Sequence, residues 1–314
     1  MDETVITVEN VKKRYKDHDV LKGINFRVKR GSVFALLGSN GAGKTTTVRI
    51  LATLLKPDSG KVQISNFDIV DQADDVRGEI SLTGQYAAVD ELMTGRENLR
   101  LIGKLYHLLD ENSKADELLE RFQLTDAANR RVATYSGGMR RRLDIAMGLV
   151  GNPSIIFLDE PTTGLDPQSR IAMWKFIKEL TLTGVTVFLT TQYLEEAEQL
   201  ADQIAILDEG KIVAEGTAEE LKKLLPHEFI ELGFNNEDEL HQAHRVLEDY
   251  YTKISEKDMI LAIAIDGDVK ELTHILNTLE RSDISAASFE QRLSSLEDVF
   301  LTIIDKNKEK EESQ

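Results

Sequence analysis

The chain has 314 residues, room for one large and one small folded unit, and 41% of them are apolar, enough for a sizeable core. A formal net charge of −17 sets the surface against phosphate backbones and argues against a nucleic-acid partner, and the lack of cysteine excludes disulfides and thiolate metal sites. Residues 1–8 carry acids rather than a long apolar core, so they do not read as a signal peptide, and no apolar run is long enough to span a bilayer. Any membrane role is therefore expected to come through a partner.

Val5–Tyr15 and Val20–Val28 alternate as strands do, with Lys29, Arg30 and Gly31 as turn material. Val33–Leu37 is a short apolar strand that leads into a glycine-rich loop. Thr45–Leu55 turns helical and is broken by Lys56, Pro57, Asp58, Ser59 and Gly60. Val62–Ile64 and Glu79–Leu82 read as strands. Thr94–Leu149 is helical in spacing and poor in strand signals, so it reads as a helical insert in an α/β core. Ile155–Leu158 is a buried strand, Gln168–Thr181 a helix, Val185–Thr190 a strand and Leu194–Ala201 a short helix. Ile204–Leu207 and Lys211–Glu215 flank a hairpin turn at Asp208, Glu209 and Gly210. Strands alternating with helices predict a mainly parallel sheet covered on both faces. After Leu225 and Pro226 the pattern changes to strand Phe229–Phe234, helix Asp238–Tyr250, strand Met259–Ile265, helix Val269–Leu279, strand Ile284–Phe289 and helix Leu296–Ile304. That order predicts a small α+β domain of ferredoxin-like type, followed by a polar, disordered tail.

The strongest chemical signal is Gly38-Ser39-Asn40-Gly41-Ala42-Gly43-Lys44-Thr45, followed by Thr46. It follows a strand and opens a helix, the setting of a Walker A loop. Glycines let backbone N–H groups turn toward phosphate oxygens, and the helix N-terminus adds a favourable dipole. Lys44 is expected to reach the β- and γ-phosphates of ATP, and Thr45 to place its hydroxyl on Mg²⁺. The second half is Ile155-Ile156-Phe157-Leu158-Asp159-Glu160, an apolar strand that ends in two carboxylates. Asp159 suits Mg²⁺, and Glu160 is placed to orient or deprotonate an attacking water.

Tyr135-Ser136-Gly137-Gly138-Met139-Arg140-Arg141-Arg142 lies about twenty residues before Asp159. By itself it could be a Ser-Gly-Gly turn capping a helix with a solvated arginine run. It resembles the signature motif of ABC ATPases, and from about Val5 to Leu225 the chain is similar to an ABC nucleotide-binding subunit, with every motif in family order. The resemblance implies a P-loop NTPase cassette with a RecA-like core, an antiparallel β subdomain and a helical insert (about 94–149), in a domain spanning 1–225. A small α+β domain at 226–305 and a tail at 306–314 follow.

By the same resemblance, Gln85 is the Q-loop residue that touches Mg²⁺, Leu165 and Asp166 form the D-loop at a dimer seam, and Tyr15 stacks on adenine. Two copies would pack head to tail. Each site would then use Lys44, Thr45, Gln85, Asp159, Glu160 and Gln192 from one chain and Ser136, Gly137 and Gly138 from its mate. A separate permease would carry the pore, which puts this chain on the cytoplasmic face of the membrane. Gln192 stands where the family usually has a switch histidine. A neutral amide can donate a hydrogen bond to a γ-phosphate but cannot become a cation, which shifts weight to Glu160.

Thr190-Thr191-Gln192-Tyr193-Leu194-Glu195-Glu196-Ala197, with 135–146, resembles the daunorubicin-resistance branch of drug-export ATPases, as does Leu296-Glu297-Asp298-Val299-Phe300-Leu301. The last segment by itself reads as an amphipathic packing helix with Leu296, Val299, Phe300 and Ile303 on one stripe. We expect the C-terminal extension to steady the dimer or the permease contact. His241 and His244 share a helix face, but exposed histidines without a matching carboxylate read as solvated, so no metal beyond Mg²⁺ is expected. Two other functions fit the motifs less well. A soluble ABC-type ATPase acting on ribosomes or DNA would usually carry two cassettes or long coiled coils, and a nucleotide sensor that does not turn ATP over would not need Glu160.

Overall fold

The computed structural model describes residues 3–85, 87–225, 228–265 and 269–303. The chain divides into two compact units, Met1–Ala218 and Glu219–Gln314, so the division falls somewhat before the change of character seen after Leu225.

The first unit opens with β1 (Thr4–Tyr15), β2 (His18–Lys29), β3 (Val33–Leu37), α1 (Lys44–Leu51), β4 (Ser59–Ile64), β5 (Phe67–Asp68), α2 (Ala73–Glu79) and β6 (Ile80–Thr83). The helical insert follows as α3 (Gly95–Leu105), α4 (Glu111–Arg121) and α5 (Gly137–Gly148), with two short 3₁₀ turns before α5. The core resumes with β7 (Ile155–Asp159), α6 (Pro167–Leu182), β8 (Thr186–Thr191), α7 (Leu194–Leu200), β9 (Gln203–Asp208) and β10 (Lys211–Gly216); α8 (Ala218–Lys222) spans the division between the units.

Two sheets form. A six-stranded sheet has the order β10-β9-β3-β8-β7-β6, parallel except for the β9–β10 hairpin. A four-stranded antiparallel sheet has the order β2-β1-β4-β5. Every residue of β3 and of β7 is buried, as expected of central parallel strands with helices on both faces. Phe34, from β3, stacks on Phe26 and Phe188 at centroid distances of 5.2 and 5.4 Å and so joins the two sheets through one aromatic core. The first helix of the insert opens on a reciprocal cap. Thr94 accepts the Glu97 amide and the Glu97 carboxylate accepts the Thr94 amide, a reciprocal cap that satisfies two helix-end donors.

The second unit contains β11 (Glu228–Gly233), α9 (Glu237–Val246), β12 (Thr252–Ser255), β13 (Ile260–Ile265), α10 (Val269–Arg281), β14 (Ser288–Leu293) and a last helical segment over 296–303. Its sheet is antiparallel, in the order β12-β13-β11-β14, which is a βαββαβ arrangement. Ile230, Leu232, Leu261 and Ile263 pack against Leu240 and Ala243 of α9 and Ile275 and Leu279 of α10.

Several boundaries differ from the sequence reading. The helix expected to reach Leu55 ends at Leu51, because Thr53 turns left-handed with φ 59°. The helix expected to run to Tyr250 ends at Val246. β12 was not expected; it is a short edge strand of four half-buried residues with no apolar run. The strand expected at Ile284–Phe289 lies at Ser288–Leu293 instead. Ile284 belongs to the stop of α10: Asp283 is left-handed at φ 58° and the Ile284 amide returns to the Leu279 carbonyl, a Schellman closure whose apolar residue packs down. Ile304 and the expected tail lie outside the described residues, as do Pro226 and His227. Among the described residues no helix is long and apolar enough to cross a membrane.

Candidate functional site

The carboxyl ends of β3, β6, β7 and β8 finish side by side, since Leu37 pairs with Thr191, Asp159 with Thr190, and Thr83 with Leu158. The segments that follow these strands carry the glycine-rich loop, Gln85, Asp159–Glu160 and Gln192, so four distant stretches of sequence meet at one sheet edge. Open α/β sheets place ligands at this edge.

The loop between β3 and α1 is held close to the sheet. The Gly38 amide donates to the Thr191 carbonyl at 3.2 Å, and a Cβ on Gly38 would lie 2.4 Å from the Leu207 carbonyl oxygen. Gly43 caps α1 at φ 113°, where a Cβ would also meet Leu21 at 2.7 Å. Ser39, Asn40 and Gly41 face solvent, Ala42 is buried, and Thr45 and Thr46 lie on the first turn of α1.

Lys44 folds back over this loop. Its Nζ donates to the carbonyls of Gly38 and Ser39 at 2.8 and 3.0 Å and lies 3.6 Å from Oε1 of Glu160. Burial pushes the Lys44 pKa down, and the charges of Glu160 and Asp159 oppose that. The Thr45 hydroxyl donates to Oδ2 of Asp159 at 3.1 Å, while Thr190 donates to Oδ1. Glu160 is left-handed at φ 49° and is fixed on both ends. Its amide donates to the Thr190 carbonyl, and its Oε2 accepts from Gln85 Nε2 at 3.1 Å and Thr163 Oγ1 at 3.2 Å. Lys44, Thr45, Gln85, Asp159 and Glu160 thus form one bonded cluster. Gln192 sits in a half-buried bend after β8, within a turn in which the Tyr193 amide donates to the Thr191 hydroxyl.

Other expected residues lie apart from that cluster. Tyr15 is 43% exposed at the β1–β2 turn, with Lys13 Nζ 5.8 Å from its ring centroid. Ser136 caps α5 by accepting the Met139 amide at 3.3 Å. Gly138 comes so close to Ser169 that a Cβ would meet its Oγ at 3.1 Å. Asp166 caps α6 by accepting the Ser169 amide and hydroxyl at 2.9 and 2.6 Å, so the signature turn and the Leu165–Asp166 loop adjoin within one chain. His241, 44% exposed, has Nε2 3.5 Å from Glu256, which corrects the reading that it lacks a carboxylate neighbour, and His244 bonds Thr252. Among the described residues no group of three or more histidines, aspartates and glutamates forms a metal cluster.

The arginine run is not a solvated face. Arg142 donates to the Phe122 carbonyl, and Arg141 is only 6% exposed. Arg141 donates to the carbonyls of Gly84, Pro161 and Asp159 at 2.5, 3.1 and 3.2 Å and pairs with Asp144 at 3.4 Å. Asp144 in turn accepts the Ala88 amide at 3.0 Å; burial raises its pKa against that bond and the Arg141 charge. Glu196 on α7, fully buried, accepts from Thr162 at 2.8 Å and Trp174 at 3.3 Å, and burial raises its pKa against these bonds. Sequence reasoning missed these three. The available signal was charge inside an apolar helical stretch, since Arg141 and Asp144 stand three apart beside Leu143, Ile145 and Ala146.

The family profile described as ABC transporter matches residues 21–163. The chain is 45% identical over 303 residues to the daunorubicin resistance ATP-binding protein DrrA3 of Streptomyces coeruleorubidus, covering 96% of each chain. It is 44% identical over 303 residues to the daunorubicin/doxorubicin resistance ATP-binding protein DrrA of Streptomyces peucetius, covering 95% of this chain and 92% of that one. Among solved structures it resembles a dimeric ATP-binding cassette in a post-hydrolysis state bound to ADP and Pi (TM-score 0.61, 29% identity, 68% of this chain and 98% of that one). It also resembles cbiO1 of Clostridium perfringens, part of the ABC transporter complex cbiONQ (TM-score 0.66, 25% identity, 79% and 97%). With its bonded phosphate-loop cluster and kinship over nearly its whole length, the chain belongs to the ABC transporter family, among the ATP-binding subunits of the daunorubicin-resistance type.

Proposed function

We propose that this chain is the ATPase of an exporter that moves amphipathic, drug-like compounds through a separate membrane subunit, and that it works as a head-to-tail pair. The observation that carries the chemistry is the bonded cluster of Lys44, Glu160, Gln85, Asp159 and Thr45 at the end of the parallel strands. The loop over 38–45 and the α1 N-terminus take the phosphates of ATP. Lys44 exchanges its loop carbonyls and Glu160 for phosphate oxygens. Glu160 then accepts a proton from the water whose oxygen attacks the γ-phosphorus, while the bond to the β–γ bridging oxygen breaks and ADP leaves. Gln192 donates to the γ-phosphate, and Tyr15 is placed at an exposed edge where an adenine can stack. Thr45, Asp159 and Gln85 offer oxygen donors of the hard type that Mg²⁺ prefers, with no thiolate or imidazole among them. Bound there, the ion would neutralise charge on the phosphates.

Pairing follows from where the signature lies. Ser136, Gly137 and Gly138 open α5 with a capped hydroxyl and bare amides and are not bonded to their own phosphate loop, so they suit the loop of a second copy. Relatives named for daunorubicin and doxorubicin resistance support a drug-like cargo, and a relative within a multi-subunit transporter supports a membrane partner. A tagged pull-down from detergent-solubilised membranes, read by mass spectrometry, tests the export reading. A multi-span protein in stoichiometric amount is expected. Recovery of soluble partners alone would leave an ATPase that does not drive a pump.

A further inference from the structure

Three carbonyls converge on one buried guanidinium, and their positions in the chain are informative. Arg141 Nε donates to Pro161 O and Nη2 to Asp159 O, the carbonyls on either side of Glu160. Nη1 donates to Gly84 O, the carbonyl just before Gln85. Glu160 and Gln85 then meet through Gln85 Nε2 and Glu160 Oε2 at 3.1 Å. Glu160 needs such support, because a non-glycine residue at φ 49° is strained and persists only where its surroundings over-determine it. The planar fork of an arginine can serve three acceptors in fixed directions, which a lysine ammonium cannot.

Arg141 also sits one turn into the helix that Ser136 caps. Asp144, one turn further along α5, holds the guanidinium and accepts the Ala88 amide beyond Gln85. One rigid helix therefore carries at its start the residues offered to a second copy and, a turn later, the group that fixes its own Glu160 and Gln85. We infer that Arg141 is a positioning residue: it holds Glu160 and Gln85 in the geometry for hydrolysis and ties that geometry to the placement of the chain's own signature turn. This rests on the reading of Glu160 as the group that activates water. In a pair, closure of one site onto Ser136–Gly138 of a chain would then bear on Glu160 of that same chain, so the two sites would turn over cooperatively. Arginine side chains elsewhere on the insert do not share this role: Arg140, for example, reaches Glu91 and the Tyr135 carbonyl.

The test is steady-state ATP turnover and ATP affinity of the full chain for Arg141→Lys, Glu160→Gln and the double variant, alongside thermal melts. Acting through Glu160, Arg141→Lys should lower kcat at least about tenfold, leave KM and nucleotide affinity within about threefold, and reduce the Hill coefficient for ATP toward one. Added to Glu160→Gln it should cost less than about twofold more, since both changes remove the same contribution. An equal, additive loss in the double variant, or a wild-type kcat in Arg141→Lys, would overturn the inference. Should Arg141→Lys not fold, Arg141→Gln, whose amide can still donate to a carbonyl, is measured in its place by the same criteria. Full turnover in Glu160→Gln alone would instead refute the water-activation reading, a result separate from either Arg141 outcome.

Discussion

Nζ of Lys44 lies 3.6 Å from Oε1 of Glu160, with the two side chains only 5% and 10% exposed. A buried lysine that already has an anion must give it up to bind a phosphate, so Glu160 competes with the nucleotide for Lys44. Glu160→Gln removes the competing charge. We expect the variant to bind ATP at least as tightly as the wild type, up to about tenfold tighter, in titrations with a fluorescent ATP analogue. Weaker binding would mean that Glu160 supports the nucleotide site rather than competing for its lysine.

Gln192 follows β8 in a half-buried bend and is neutral at all working pH values. Hydrolysis by the wild type should therefore show no step in kcat near the imidazole range that traces to this residue. Gln192→His should change kcat by less than about tenfold and add a new limb to the pH profile near pH 6 to 7. A hundredfold rise in kcat would show that glutamine is a defect at this position.

Ser136–Gly138 and the Lys44 cluster are not bonded to one another within a chain, which is what a site shared between two copies requires. Lys44→Ala and Gly137→Asp should each be inactive when purified alone. Mixed in equal amounts they should regain a measurable share, at most about a quarter, of the wild-type activity, because half of randomly formed pairs are mixed, each of those has one intact site, and coupling between the sites lowers that share. No recovery on mixing, with dimers present by light scattering, would contradict the head-to-tail arrangement.

Asp298 caps the helical segment over 296–303. Its Oδ2 accepts the Ser295 amide and hydroxyl at 2.9 and 2.7 Å and pairs with Arg292 at 2.6 Å. Burial pushes the Asp298 pKa up, but the bonds from Arg292 and Ser295 outweigh it and hold the group at about 2, below its ordinary 3.8. A folded pKa below the unfolded one contributes stability that is full above the unfolded pKa and is lost as pH falls through the folded one. That contribution is about 2 kcal/mol above pH 4 and fades between about pH 4 and pH 2. Asp298→Asn should lower the melting temperature at pH 7, and the gap from wild type should shrink as the pH approaches 2. A constant gap across that range would mean that the charge of Asp298 plays no part.

Much of the candidate site is legible in the sequence, because phosphate loops and strand-end carboxylates are local patterns. Lys44, Thr45 and Asp159 needed only a strand, a turn and a helix in succession. The helical insert was marked by its spacing and its lack of strand signals. What the pattern hid was long-range. Arg141 bonds carbonyls of residues 84, 159 and 161, and backbone carbonyls carry no side-chain signal. In the C-terminal segment the apolar stripe was read as Leu296, Val299, Phe300 and Ile303, yet Leu296, Asp298, Val299 and Thr302 are the buried residues of 296–303 and Phe300 and Ile303 are half-buried; polar partners bring the other two in, Arg292 and Ser295 for Asp298 and the Tyr251 hydroxyl, at 2.9 Å, for Thr302. β12 was missed for a related reason, as an edge strand with half-buried residues has no periodic apolar face to read.

The most direct test of the catalytic reading is phosphate release from ATP by the purified full-length protein, with Mg²⁺ supplied, for wild type and Glu160→Gln. We expect steady release by the wild type and at least about a hundredfold less by Glu160→Gln, with its ATP binding intact. Equal release by the two proteins would contradict a role for Glu160 in activating water, and no release by the wild type, alone or with its membrane partner, would make the chain a nucleotide sensor rather than an ATPase.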